Sequence, residues 1–262
     1  MADVPEAGVD RAGVTQDAVL GGRLTLLQPR RGHRAGHDAI LLAAAVAAQG
    51  GAHAVGGHAV DLGAGVGTAG LALAARVPGL RVTLVEIDPV LAALASRNVA
   101  LNRLEDRAVA LTLDAGAPAR SFVAAALPGG SVDWVLMNPP FNTAAHQASA
   151  DKARAHVAPD DLLPVWLKTA SRLLRPNGRV VLIHRADGLA SVLKALVDFG
   201  GVAVLPVYPK PRAAAIRVLV GAIKGSRTPL SVLPGLTLAD AMGRPTAEAE
   251  LILREAQPLP LW

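Results

Sequence analysis

From residue 58 onward the chain repeats one unit: a short apolar run, a glycine or an acid at its end, then a stretch of helical character. The runs are HAVDL (58–62), RVTLVEI (81–87), AVALTL (108–113), VDWVLM (132–137), GRVVLIH (178–184), VAVLPVY (202–208) and IRVLVGAI (216–223). The inner ones are continuous Val and Leu, as strands need when helices cover both faces of their sheet. TAGLALAAR, PVLAALASRNVALN and LLPVWLKTASRLL fill intervals as helices, and RPNGR reads as a helix stop followed by a turn. The alternation predicts an α/β fold with a doubly wound, seven-stranded, mostly parallel sheet. Only PKPRAAA separates the last two runs, too little for a crossover helix, so the last strand must turn back antiparallel.

The flanks read differently. Residues 1–17 lack apolar periodicity and are expected to be a flexible tail, 18–225 the main domain and 226–262 a Pro-rich C-terminal extension. Within the main domain, 20–49 should form a ribbon and a buried helix. LGGRLTLLQP predicts the ribbon, and AILLAAAVAAQ is apolar on nearly every side and must be buried, with Asp38 at its N-cap. There is no cysteine, which excludes disulfides and thiolate metal sites and suits a reducing compartment. His33 and His37 straddle a turn without a third ligand at a recognisable spacing, so no metal is expected. No run reaches the roughly 18 apolar residues of a membrane span, and MADVPEAGVDR lacks the order of a signal peptide, which makes the cytoplasm the expected location.

DLGAGVGTAG (61–70) follows the first strand and opens a helix. Gly63, Gly65 and Gly67 let the backbone turn tightly and approach a ligand closely. The stretch satisfies two patterns: GAGVG suits a nucleoside cofactor without phosphates, and GVGTAG (Gly65, Gly67, Gly70) suits a dinucleotide. Both want an acid at the end of the second strand for ribose hydroxyls, and Glu86 supplies it about 20 residues on. Asp114 ends the third strand, where a carboxylate can accept from an adenine amino group. Asp61 precedes the loop and can either meet a cofactor's aminoacyl part or satisfy loop amides.

The fourth strand, VDWVLM, ends on Asn138, Pro139, Pro140 and Phe141. Two prolines can neither donate to a ladder nor continue a central strand, so the turn is stiff and holds an amide and a ring at the strand's exit. A hydride-transfer enzyme has no use for that arrangement, whereas a clamp for a planar amine does. The alternative is a strand-ending turn with a core Phe.

DLGAGVG, VEID, LDAG and NPPF, in this order on successive strands, resemble class I S-adenosylmethionine-dependent methyltransferases that methylate amino groups. Upstream, GGRLTLLQPRRGHRAGHDAILLAAA is similar to the N-terminal segment of the bacterial tRNA1(Val) adenine-N6 methyltransferase family, with Gly36 and Asp38 in its turn. The resemblance implies a Rossmann-like fold and S-adenosylmethionine as cofactor, bound by Gly36, Asp38, Asp61, Gly63, Gly65, Gly67, Glu86, Ile87, Asp114, Ala115 and Asn138. Asn138, Pro139, Pro140 and Phe141 would form the catalytic clamp, with Phe141 stacked on the base.

The same clamp serves a protein glutamine amide or the N2 amine of an rRNA guanine, and a binding module that has lost its chemistry is the non-enzymatic alternative. About 40 residues follow the last strand, too few for a DNA target-recognition domain, and no helical recognition domain precedes the loop. RNA, above all tRNA, is the expected partner. Net charge is +5 with a pI near 10.2, and such a basic surface tolerates polyanions. Arg30, Arg31, Arg34, Lys152, Arg154, Lys210, Arg212, Lys224 and Arg227 would bind phosphates if folded onto one face.

Overall fold

The computed structural model describes residues 13–31, 36–47, 57–140 and 159–262. An antiparallel ribbon opens them, β1 (Val14–Val19) and β2 (Leu24–Pro29), and α1 (His37–Ala47) follows. The ribbon corrects the last part of the expected tail over 1–17, since Val14–Val19 is a strand, while residues 1–12 of that tail lie outside the described residues. VTQDAV hides this because polar residues occupy both of its faces, and the strand is specified by pairing with the apolar β2 rather than by its own alternation.

The main sheet contains β3 (His58–Leu62), β4 (Arg81–Glu86), β5 (Ala108–Thr112), β6 (Val132–Met137), β7 (Leu174–Arg185), β8 (Phe199–Tyr208) and β9 (Arg217–Lys224) in the order β8-β9-β7-β6-β3-β4-β5. Only β9 is antiparallel, and it lies between β7 and β8. Two short strands, β10 (Ser231–Val232) and β11 (Leu236–Thr237), extend the seven by pairing with β8. RPNGR does not end as a separate turn. Val132 pairs with Leu174 but Trp134 pairs with Arg179, so the extra residues bulge out of β7, with Asn177 at φ 61°.

Helices α2 (Thr68–Arg76), α3 (Pro89–Leu101), α4 (Ala119–Ala124), α5 (Pro159–Leu173), α6 (Leu189–Ala195) and α7 (Ala247–Leu253) complete the fold. Alternation along each strand divides the interior in two. Ala59, Leu84, Leu136, Ile183 and Leu219 face one layer with α1 and α2, whereas Val60, Val85, Val135, Leu182 and Val220 face the other with α5 and α6. Alanine is what allows the first layer to be thin: Ala43, Ala44 and Ala45 are fully buried between α1 and its neighbours. The C-terminal segment returns across this layer, where Leu259 N–H donates to Ala44 O at 3.0 Å. No helix among the described residues is long and apolar enough to cross a membrane.

The chain runs outward from β3 in both directions, through β4 and β5 on one side and β6 and β7 on the other. The crevice at the carboxyl ends of β3 and β6 is therefore the topological switch point, where open α/β sheets bind ligands.

Candidate active site

Leu62 and Met137 are paired at the ends of β3 and β6. The residues that follow, Gly63 and Asn138, thus leave the sheet side by side, about 5 Å apart as neighbouring strands are. On the β3 side the loop is held by backbone and side chain together. Gly63 and Ala64 N–H both donate to Val85 O (2.9 and 3.0 Å), and Gly65 N–H donates to Glu86 Oε2 at 2.8 Å. Glu86 Oε1 accepts from Asp88 N–H at 2.9 Å. A carboxylate offers about four acceptor positions, so Glu86 keeps capacity for two hydroxyl donors while it anchors the loop.

The glycines divide by what surrounds them. A Cβ on Gly63 would lie 2.2 Å from the Trp166 ring, on Gly67 2.8 Å from Leu84, and on Gly70 2.3 Å from Leu84, so these three serve packing. Gly65, at φ +58°, has open space where a side chain would stand. Its bare backbone is the one of the four that leaves room for a ligand to approach. Gly70 packing of helix on strand is equally at home in a dinucleotide loop, so the loop alone does not select the cofactor.

Asp61 is buried, and its Oδ2 accepts from Gly70 N–H at 2.8 Å, which realises the loop-amide role. Burial, with the nearby Glu86 charge adding to it, pushes its pKa from the usual 3.8 up to about 7 against the opposing pull of the Gly70 amide. A raised folded pKa penalises the charged form, so the associated stability is full below pH 3.8 and is lost as pH rises towards 7. Denaturant titrations across that window should show stability falling less steeply in Asp61→Asn than in the wild type; parallel profiles would mean that Asp61 ionises freely.

On the β6 side, Asn138 Oδ1 is buried and has no hydrogen-bond partner among the described residues. An orphaned buried acceptor costs about 1–3 kcal/mol. Pro139 beside it is buried and Pro140 is exposed. Phe141 lies outside the described residues, as do Arg34, Lys152 and Arg154. Asp114 is exposed, and its Oδ1 accepts from Gly116 N–H at 2.7 Å. Ala115 is buried behind it, while Ile87, next to Glu86, is 56% exposed and offers an apolar surface at the rim.

Three side chains around the site do not stand out in the sequence. Trp166 of α5 is 9% exposed and covers Gly63 after β3, and Val165 reaches the Cβ position of Gly116 after β5, so α5 packs over the loops that follow these two strands. A lone Trp on an amphipathic helix reads only as core. Arg217, at the start of β9, donates from Nε to Asp38 Oδ2 at 2.8 Å. Asp38 is accordingly not the N-cap of α1: it sits in the first turn, behind His37, and its carboxylate ties α1 to the sheet. Gly36 is exposed immediately before that turn.

The expected basic patch splits. Lys210 and Arg212 are exposed in the β8–β9 hairpin, at the carboxyl edge of β7, since Arg217 pairs with Arg185. Arg30 and Arg31 are exposed at the end of β2, which points towards the same edge: Thr25 meets Asn102 at the far end of α3 and Leu27 meets Asn98 one turn nearer its start. Lys224 is elsewhere. Its Nζ donates to Leu174 O, at the amino edge, and Arg227 follows it there, the length of β9 or about 24 Å from the crevice.

A family model described as methyltransferase small domain matches residues 38–205. Over 158 residues the chain is 34% identical to a tRNA1(Val) (adenine(37)-N6)-methyltransferase of Porphyromonas gingivalis, a match covering 60% of this chain and 60% of that relative's length. A crystal structure described as a predicted O-methyltransferase from Agrobacterium tumefaciens superposes with a TM-score of 0.70 at 30% identity, covering 85% of this chain and 98% of that one. The T. thermophilus 16S rRNA N2 G1207 methyltransferase, solved with AdoMet and guanosine, shares the fold at a TM-score of 0.56 and 21% identity, over 80% of this chain and 50% of that one.

Proposed function

The chain belongs to the methyltransferase small domain family and has its Rossmann-like fold, and from that premise we propose that it methylates the exocyclic N6 amine of an adenine in RNA, with S-adenosylmethionine as donor. The observation that carries this reading is Asn138 Oδ1, a buried acceptor beside the glycine loop without a partner among the described residues. The residues fit the cofactor. Gly65 leaves the cradle open, Glu86 retains acceptors for ribose hydroxyls, Ile87 offers a face to a nucleobase, and Asp114 offers a carboxylate at the exposed end.

When bound, S-adenosylmethionine supplies an electrophilic sulfonium methyl group. The protein's task is to make a poor nucleophile available, because the amine's lone pair is delocalised into the purine. Asn138 Oδ1 and the Pro139 carbonyl each accept a hydrogen bond from one amine N–H, which favours a pyramidal nitrogen whose lone pair leaves the ring plane. As the N–CH3 bond forms and the S–CH3 bond breaks, the nitrogen sheds one of these protons to water. Pro139 and Pro140 hold the two acceptors still, and alignment of this kind supplies much of a transfer rate. Phe141 stacks on the base, a contact of about 1–3 kcal/mol. A stacked target base must first be swung out to reach the crevice. Binding measurements test the cofactor directly: the full chain should bind S-adenosylmethionine saturably and ignore NAD, and the reverse preference would sink the reading.

The RNA reading rests on the charges that flank the crevice. Arg30 and Arg31 approach from the ribbon side and Lys210 and Arg212 from the β8–β9 hairpin, so a strand threaded between them would meet phosphate contacts on both sides of the clamp. Each contact contributes about −0.7 to the slope of log K against log salt for a single strand. Lys210→Ala with Arg212→Ala should therefore flatten the tRNA slope by about 1.4, whereas Arg227→Ala should leave it unchanged. An equal effect of Arg227→Ala would place the RNA on another face. The tRNA species and the cytoplasm as the place of reaction belong to the same proposal.

A further inference from the structure

Two asparagines on α3 do the work of a missing strand. Asn102 Oδ1 accepts from Thr25 N–H at 2.9 Å and its Nδ2 donates to Thr25 O at 2.8 Å. One helical turn earlier, Asn98 Oδ1 accepts from Leu27 N–H at 2.7 Å and its Nδ2 donates to Leu27 O at 3.0 Å. The match is geometric: four residues of helix advance about 6 Å, and two residues of strand advance about 6.8 Å. Together the side chains satisfy the edge of β2 that faces away from β1.

Asn98 does something that Asn102 does not. It is fully buried, and its Nδ2 also donates to Val66 O, in the glycine loop, at 2.9 Å. The other fixed points of that loop are Gly63 and Ala64 on Val85 O, Gly65 on Glu86, and Gly67 N–H on Ala64 O at 2.8 Å. Val66 O is thus held by a side chain that simultaneously holds the ribbon. The next residue is Gly67, at φ +89° and at the start of α2. The Val66–Gly67 peptide is held at its N–H by Ala64 O and at its carbonyl by Asn98, so losing Asn98 removes one of two holds on a peptide that precedes a glycine of wide conformational freedom.

We propose that Asn98 is a positioning residue for the cofactor: by holding the Val66 carbonyl it fixes the Val66–Gly67 peptide next to the open face of Gly65, and it makes that geometry depend on the ribbon being docked. The inference rests on the cofactor reading above. Once the ribbon is pulled away, Asn98 loses the Leu27 partners that orient its amide, and the loop loses one of its fixed points.

The comparison of Asn98→Asp with Asn102→Asp tests this. Both keep an acceptor for the β2 amide and lose the donors, but only the first releases Val66 O. Asn98→Asp should raise the cofactor KM at least tenfold, with kcat at saturating cofactor and the RNA KM within twofold of wild type. Asn102→Asp should leave the cofactor KM within twofold, although both variants lower Tm. Equal shifts in cofactor KM, or none, overturn the role. If Asn98→Asp does not fold, amide exchange in the wild-type chain decides: S-adenosylhomocysteine should slow exchange at Leu27 N–H at least tenfold and more than at Thr25 N–H, and an unaffected Leu27 amide overturns the role. A wild-type chain that binds neither S-adenosylmethionine nor S-adenosylhomocysteine would overturn the site reading and this role together, whereas normal wild-type binding with equal variants overturns this role alone.

Discussion

Asn138→Ala should lower the turnover of methyl transfer by about 10²–10³-fold, the usual consequence of removing one preorganised polar group from a reacting centre. Affinity for S-adenosylmethionine should stay within about threefold, because the loop, Glu86 and Ile87 are untouched. The same change should not destabilise the chain. Asn138 Oδ1 is buried without a partner among the described residues, so its removal relieves a desolvation cost of about 1–3 kcal/mol. That combination, an inactive variant at least as stable as wild type, separates a functional acceptor from a strand-ending turn, for which both activity and stability would change little. Sites that bind or react commonly carry such a cost.

Glu86→Gln should raise the cofactor KM by about 10–100-fold, with a smaller effect on kcat. Both carboxylate oxygens are engaged, one by Gly65 N–H and one by Asp88 N–H. A glutamine can offer an oxygen to only one of them and turns an NH₂ towards the other, so one amide is left facing a donor. Hydrogen bonds to charged groups are worth about 1.5–3 kcal/mol each, and a ribose hydroxyl loses its partner as well. Steady-state kinetics with S-adenosylmethionine varied at saturating RNA would read the effect. An unchanged cofactor KM would mean that Glu86 only braces the turn.

The sheet was legible because strands covered on both faces must be continuously apolar, and β3, β6 and the α2 helix begin and end where the runs do. The β9 reversal was legible for a topological reason, the shortness of PKPRAAA. Other features depend on partners distant in sequence. β1 is polar on both faces and exists because β2 pairs with it. Asp38 reads as a cap until Arg217, 179 residues away, takes its carboxylate. Lys224 and Arg227 look like members of one basic cluster with Lys210 and Arg212, and the direction of β9 sends them to the opposite edge. Asn98 is an ordinary helix residue in sequence, and its three partners come from β2 and the glycine loop. Within the candidate site, Asn138, Glu86 and Asp61 stand out in the sequence because each sits at or next to a strand end; the residues packed against or bonded to that site do not.

The most direct test of the central claim is to incubate the full chain with methyl-labelled S-adenosylmethionine and total tRNA, digest the RNA, and identify the labelled nucleoside. Label should appear in N6-methyladenosine and vanish with Asn138→Ala. Label in N2-methylguanosine or in methylglutamine of added protein, or unlabelled RNA altogether, would contradict the assignment of an adenine amine in RNA to this clamp.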